Sequence, residues 1–221
     1  DVGGERVLAV TDEIRDAHGP DAAIGIVCDV ADHDALKRLV AEVVDTFGGI
    51  DVVVNNAGIS LVNSAFQEED TYEANWARTL DVNLTAHSRL IRLCLPHLRA
   101  APGGGRVVNI ASTEAIVTTA GLAAYAATKA GVIGLTKSFA VELGRHGVTV
   151  NCICPGPILT GMTAGIDESA KEVYAKRRVP LRRYGDPEEV AHMTVSLCMP
   201  AASFVNGVAL PVDGGMSIRH T

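Results

Sequence analysis

Apolar positions along the chain alternate between two periods. Residues 23–28 (AIGIVC), 50–55 (IDVVVN), 106–111 (RVVNIA) and 148–153 (VTVNCI) are short runs rich in Val and Ile. Runs of that length and composition predict strands buried on both faces. Between them the period lengthens to that of a helix over residues 5–15, from about 34 to 47, 76–99 and 123–145. Two weaker helical patterns, 167–177 and 186–199, precede a last short strand at 208–211. Gly48-Gly49, Pro102 with glycines 103–105, and Gly147 punctuate these elements where helices stop. The alternation predicts an α/β fold: a doubly wound parallel sheet with helices on both faces, forming a single domain over residues 1–221. The pattern opens on a helix with no strand before it. The first strand of an open parallel sheet is normally central, so the expectation is a Rossmann-like domain that is incomplete at its N-terminus.

Composition narrows the class. Hydrophobic residues make up 48% of the 221 and charged residues 20%, enough for one sizeable core and too apolar for disorder. The formal charge is −7 with no basic block, which argues against nucleic acid and anionic membrane surfaces as partners. No segment reads as a membrane span of about 18 consecutive apolar residues. Asp1, Glu5 and Asp12 stand where a leader would carry its basic and apolar blocks. The five cysteines (28, 94, 152, 154 and 198) are an odd count in a core-rich chain, consistent with reduced thiols and a cytoplasmic location. Only Cys152 and Cys154 are close, at strand spacing without the pattern of a redox motif.

Several positions could carry chemistry. Tyr125 and Lys129 are four apart on a helix and share one face. An ammonium beside a phenol favours the phenolate, giving a tyrosine that could exchange a proton with an alcohol or carbonyl; pairs at this spacing also arise by chance. Ser112 ends a strand, where ligands gather in parallel α/β folds, or it is a turn serine. Asn55-Asn56-Ala57-Gly58 could let backbone approach a planar ligand, or be an ordinary turn. Asn83 is an amide inside a helix, either exposed or holding a water or a backbone group. Pro155-Gly156-Pro157-Ile158 follows another strand at the same edge and reads as a rigid loop or a turn. Other chemistries fail. The seven histidines lack zinc spacing, and Asp29, Asp32 and Asp34 lack the rest of a calcium loop. There is no Gly-x-Ser-x-Gly, and Gly103–Gly105 precede a strand where a phosphate loop would follow one.

Taken together and in this order, these motifs resemble the short-chain dehydrogenase/reductase family. Tyr125 stands thirteen residues after Ser112, the family's usual separation, and Leu210-Pro211-Val212-Asp213-Gly214-Gly215 is similar to its C-terminal signature. The resemblance implies that Tyr125 is the general acid/base and that Lys129 lowers its pKa and holds the nicotinamide ribose. It implies that Ser112 bonds the substrate oxygen and that Asn83 orders a water in a proton path from Lys129. Asn55, Ala57 and Gly58 would flank the adenosine side, with Asp29 and Val30 near the adenine. Pro155, Gly156, Ile158 and Thr160 would line the nicotinamide. Asp1 would accept the adenine-ribose hydroxyls and disfavour a 2′-phosphate, so NAD is expected over NADP; Arg6 is read as a full turn away. The family's opening strand and Thr-Gly-x-x-x-Gly-x-Gly loop are not found in this sequence. The resemblance further implies a secondary alcohol or ketone as substrate, no metal, and a homotetramer. A 3-oxoacyl-carrier reductase is the alternative substrate reading. A non-catalytic nucleotide-binding scaffold, or a fragment that binds no cofactor, is the alternative of another class. The cations at 171, 176, 177, 178, 182 and 183 could greet an acidic substrate, but fit a solvated helix face better.

Overall fold

The computed structural model describes residues 1–219. Four parallel strands form one sheet in the order β1-β2-β3-β4: β1 (Val52–Asn55), β2 (Arg106–Ile110), β3 (Thr149–Pro155) and β4 (Ala209–Val212). The register aligns Asn55 with Asn109, Asn109 with Cys152, and Cys152 with Ala209. The carboxyl ends of β1, β2 and β3 therefore meet at one edge, the edge where open parallel sheets place their ligands.

Among the described residues there are seven α-helices: α1 (Gly4–His18), α2 (His33–Phe47), α3 (Glu69–Leu80), α4 (Ala86–Ala100), α5 (Ala123–Leu143), α6 (Glu168–Arg178) and α7 (Pro187–Cys198). On one face Val53, Val107 and Val150 pack with Val40 of α2, Ile91, Cys94 and Leu98 of α4, and Ala140 and Leu143 of α5. On the other, Val108 and Ile153 pack against Leu197 of α7 and Ala202. Strand residues one apart point to opposite faces, so the unbroken apolar runs serve both layers. The ends of the helices follow local chemistry. Asp32 caps α2 by accepting from the Asp34 and Ala35 amides, Gly48 closes it in the left-handed region at φ 82°, and Asp186 with Glu189 forms a capping box on α7.

Two expectations need correction. Residues 23–28 do not form a strand. Their backbone is held by Cys28 N donating to Asp1 O at 3.0 Å and by Ala23 O accepting from Arg15 Nε at 2.9 Å, and among the described residues no strand pairs with them. Strand geometry persists only where a ladder satisfies the backbone. For the same reason β1 is an edge strand, and one side of it, Val52 and Val54, is about two-fifths exposed rather than covered. The helix expected at 76–99 begins earlier, at Glu69, where Glu69 and Asp70 suit the positive end of the helix. It runs through a π-helical turn, Asp81–Thr85, into α4. Acidic residues hid that start from an apolar-period reading.

Candidate active site

A cavity of about 400 Å³ opens at the carboxyl ends of β2 and β3. Ser112, Tyr125 and Lys129 line it together with Asn56, Gly58, Gly156 and Thr160. Ser112 follows β2, and its Oγ accepts the Glu114 amide at 3.1 Å. It is thus the turn serine that the simpler reading allows, and its hydroxyl also hydrogen-bonds Tyr125. Tyr125 and Lys129 lie on the first turns of α5. Asn63 fixes where that helix begins: its Oδ1 accepts the Ala124 amide at 3.2 Å and its Nδ2 donates to Tyr72 O at 3.0 Å. Asn63 carries no sequence signal beyond being one more asparagine in a loop.

Lys129 is 3% exposed and its Nζ donates to Ile110 O at 2.7 Å, pinning the ammonium to the last residue of β2. Burial lowers its pKa from 10.5 to about 8, against a smaller opposing pull from Cys154. The Lys129 nitrogen stands 5.6 Å from the centre of the Tyr125 ring. The expected lowering of the Tyr125 pKa by Lys129 is not what this geometry gives. Burial raises the phenol above its ordinary value; the Ser112 hydroxyl opposes that and the Glu114 carboxylate adds to it. Desolvation outweighs the hydrogen bond here, so Tyr125 holds its proton at neutral pH.

Asn83 sits in the π-helical turn, fully buried. Its Nδ2 donates to Ile59 O at 2.9 Å and to Thr128 Oγ1 at 3.4 Å, and its Oδ1 accepts the Ile59 amide at 2.9 Å. The amide ties down the chain after Gly58, leaving one lone pair of Oδ1 for a water. Asn55 is also turned inward. Its Nδ2 donates to Asn109 Oδ1 at 2.8 Å, and Asn109 Nδ2 donates to Thr136 Oγ1 at 2.9 Å. This buried relay between β1, β2 and α5 was missed, because Asn109 and Thr136 gain meaning only from the register.

Pro155, Gly156, Ile158 and Thr160 all lie on the cavity wall, along with Met162 and Val190. A Cβ on Gly156 would stand 2.8 Å from the Asp213 Cα, so only glycine lets the two backbones come this close. Asp213 in turn accepts the Gly215 and Ser217 amides at 2.9 and 2.7 Å. The tail motif is therefore a turn that braces the Gly156 loop. Ala57 and Val30 line a smaller neighbouring cavity. Asp29 accepts the Ala31 amide and pairs with Arg78, both at 3.0 Å, which hold its carboxyl below the ordinary range although burial opposes them. Asp1 lies beside Cys28, whose amide donates to Asp1 O at 3.0 Å. Arg6, expected to be out of reach, folds back to Asp1 Oδ1 at 3.3 Å; the length of its side chain spans the helical turn. Of the six cations near α6, Lys176 and Arg183 pair with Glu172 and Glu189, which supports the solvated-face reading for those two; Lys171 pairs with Glu168 but is itself buried, so that reading does not fit it.

Comparison with known proteins adds a second line of evidence. A family model described as enoyl-(acyl carrier protein) reductase matches residues 1–217. The 3-oxoacyl-[acyl-carrier-protein] reductase FabG of Staphylococcus aureus is 38% identical over 212 residues, covering 96% of this chain and 83% of that protein. The protein of that name from Aquifex aeolicus is 38% identical over 213 residues, with 96% and 84% covered. Among solved structures, a mutant of a Serratia marcescens short-chain dehydrogenase/reductase superposes with a TM-score of 0.88 at 33% identity, over 97% of this chain and 84% of that one. The ligand-free aldohexose dehydrogenase of Thermoplasma acidophilum gives 0.81 at 32% identity, over 88% and 78%.

Proposed function

The chain belongs to the short-chain dehydrogenase/reductase family, oxidoreductases that transfer a hydride between a nicotinamide cofactor and a substrate, and on that premise we propose that Tyr125 is its general acid–base group, acting on a secondary alcohol or the matching ketone. The observation that carries this reading is the meeting of Ser112, Tyr125 and Lys129 at one cavity, with the buried Lys129 bonded to Ile110 O. The described residues suit the nicotinamide-ribose end of a dinucleotide. Lys129 has three N–H donors and one acceptor among the described residues, so two donors remain for a pair of ribose hydroxyls. A Cβ on Gly58 would touch Asn83 Oδ1 and Lys129 Nζ at 3.5 Å, so glycine there keeps the Lys129 nitrogen uncovered on that side. The cofactor supplies the hydride chemistry.

The protein's own part is the proton. Ser112 donates its hydroxyl hydrogen to the substrate oxygen and holds it beside Tyr125. In ketone reduction the protonated Tyr125, its pKa raised by burial, gives its proton to that oxygen. Lys129, with a pKa of about 8, replaces the proton. In alcohol oxidation both steps reverse. Asn83 keeps the segment after Gly58 in place and can offer its remaining Oδ1 lone pair to a water. Asn56, Ile158 and Thr160 confine the nicotinamide side.

NAD is the proposed cofactor, with Asp1 accepting the adenine-ribose hydroxyls while Asp29 and Val30 border the base; Arg6 beside Asp1 offsets part of the charge that would repel a 2′-phosphate. The curated relatives' name supports a second substrate reading, a 3-oxoacyl thioester on a carrier. A homotetramer is proposed too, supported by Phe66, Phe204, Val141 and Ile218, which are more than four-fifths exposed. Free cysteines throughout support a cytoplasmic location, and no helix of the described residues is long and apolar enough to cross a membrane. The test follows absorbance at the reduced-nicotinamide band with NADH and NADPH against secondary ketones and 3-oxoacyl thioesters. Turnover of a ketone with NADH is expected, and no turnover of any carbonyl would overturn the reading.

A further inference from the structure

The wall placed at the nicotinamide side is a loop, and its packing is interrupted. Pro157 and Ile158 line a small cavity of about 50 Å³ together with Val212, Asp213 and Gly214 of the tail turn. A second segment holds the loop in place of that packing. Leu159 N donates to Gly185 O and Gly185 N donates to Pro157 O, both at 2.9 Å, so Ile158 and Gly185 form a parallel bridge. The second segment is tied to the tail as well, by Leu181 N donating to Gly214 O at 3.2 Å. Between these two anchors stands Arg182, the one non-glycine among the described residues with a left-handed backbone, at φ 57°. A residue with a Cβ keeps that conformation only where its surroundings over-determine it.

One ion pair closes this segment. Arg183 donates from Nη1 to Glu189 Oε2 at 2.6 Å and from Nη2 to Glu189 Oε1 at 2.7 Å, a two-pronged pair with defined geometry. Glu189 Oε2 also accepts the Asp186 amide at 2.9 Å. Glu189 lies in the first turn of α7, between Pro187 and Val190, which both line the catalytic cavity. Arg183 and Glu189 do not line it themselves. We propose that Arg183 and Glu189 are positioning residues for hydride transfer: their pair fixes the segment around Gly185, and that segment holds Ile158 and Thr160 where they seat the nicotinamide ring. The proposal rests on the reading above that puts the nicotinamide against Ile158 and Thr160.

Magnitudes separate this role from a contribution to the fold. The pair is about half exposed, and ion pairs of that kind add little to global stability. Hydride transfer depends steeply on geometry, and a displacement of about 1 Å set far from the chemistry can cost about 10²-fold in rate. A clasp of small thermodynamic weight can thus carry a large kinetic one. The Arg183 guanidinium first, and the Asp186 amide second, hold the Glu189 carboxyl down to about 2, so the clasp stays charged at any pH above that value.

The test compares the full chain with Glu189→Gln, Arg183→Lys and Arg183→Ala. Each variant loses the two-pronged pair, since lysine cannot replace the guanidinium fork. Calorimetry titrates each protein with NADH and with ADP-ribose, which lacks the nicotinamide. NADH is expected to bind about tenfold more weakly in the variants, while ADP-ribose affinity stays within about twofold and melting temperature within about 4 °C of wild type. A cofactor-free readout accompanies it: the Leu159 and Gly185 amides exchange with D₂O about tenfold faster or more in the variants, while amides of β2 and β3 keep their protection. Wild-type NADH affinity and wild-type exchange in all three variants would overturn the proposal. So would an equal loss for NADH and ADP-ribose, or faster exchange spread through β2 and β3, since either marks a general loosening of the fold. Failure of the underlying reading shows separately, in the wild type, as NADH bound no more tightly than ADP-ribose, and it takes the proposal with it.

Discussion

Acid should unfold this protein partly through one side chain, His87. The unfolded chain binds a proton to this ring at an ordinary pKa of 6.5, whereas the folded chain does so at about 3. The folded value is depressed, so between these two values the unfolded state binds more protons and stability falls as pH falls. Full stability is present above pH 6.5, and the loss proceeds at up to about 1.4 kcal/mol per pH unit below it. Between pH 8 and pH 5 the contribution is about 2 kcal/mol, a shift of roughly 4–8 °C in melting temperature for a chain of this size. The perturbation is His87→Leu, which fills the same space with hydrocarbon and removes two buried ring nitrogens whose one near partner is the Ala57 backbone; at pH 8 it is expected to be no less stable than wild type. Urea unfolding of both proteins at pH 8 and pH 5 provides the measurement. Carboxylates and other groups titrate in both proteins and cancel in the double difference. The wild type should lose about 2 kcal/mol more than the variant across that interval. Parallel losses would mean that the folded ring accepts protons freely, and the account of a buried imidazole held neutral would be wrong.

Other consequences are more direct. Lys129 must be neutral to take a proton in alcohol oxidation, so kcat for oxidation should rise through about pH 8 and that for reduction should fall; profiles flat from pH 7 to 9 would contradict this. Gly156→Ala places a Cβ against the Asp213 backbone and should cost about 1–3 kcal/mol in denaturant unfolding; an unchanged midpoint would show that the loop yields freely. Asn109→Ala strands the buried Asn55 amide and the Thr136 hydroxyl and should cost about 1–3 kcal/mol by the same measurement; a neutral result would place water where the amide was.

Much of this architecture was legible in the pattern of residues. Three of the expected long helices and four of the five expected strands fall within a few residues of their observed bounds, because strands apolar on both faces and helices of regular period leave strong signals. The strand at 23–28 failed because a ladder depends on a partner, and no local pattern reveals whether one stands beside it. The start at Glu69 failed because acidic first-turn residues carry no apolar period. At the site, the order of Ser112, Tyr125 and Lys129 was enough to bring three residues to one cavity. What was not legible comes from packing. Arg6 reaching Asp1, the Asn55–Asn109–Thr136 relay, Asn63 at the start of α5, and burial raising rather than Lys129 lowering the Tyr125 pKa all depend on distances that spacing alone does not contain. His87 is the extreme case: in the sequence it is one of seven histidines without a motif, and only its burial distinguishes it.

The most direct test of the central claim is Tyr125→Phe in the full chain. The change removes the phenolic hydroxyl and keeps the ring, so the Lys129–Ile110 bond and the fold remain. Turnover of a ketone with reduced nicotinamide cofactor should drop by about 10²–10⁴, while cofactor affinity, read from the fluorescence of the bound reduced form, stays within about twofold, since only the proton donor is lost. Turnover close to that of the wild type would contradict the assignment of Tyr125 as the acid–base group.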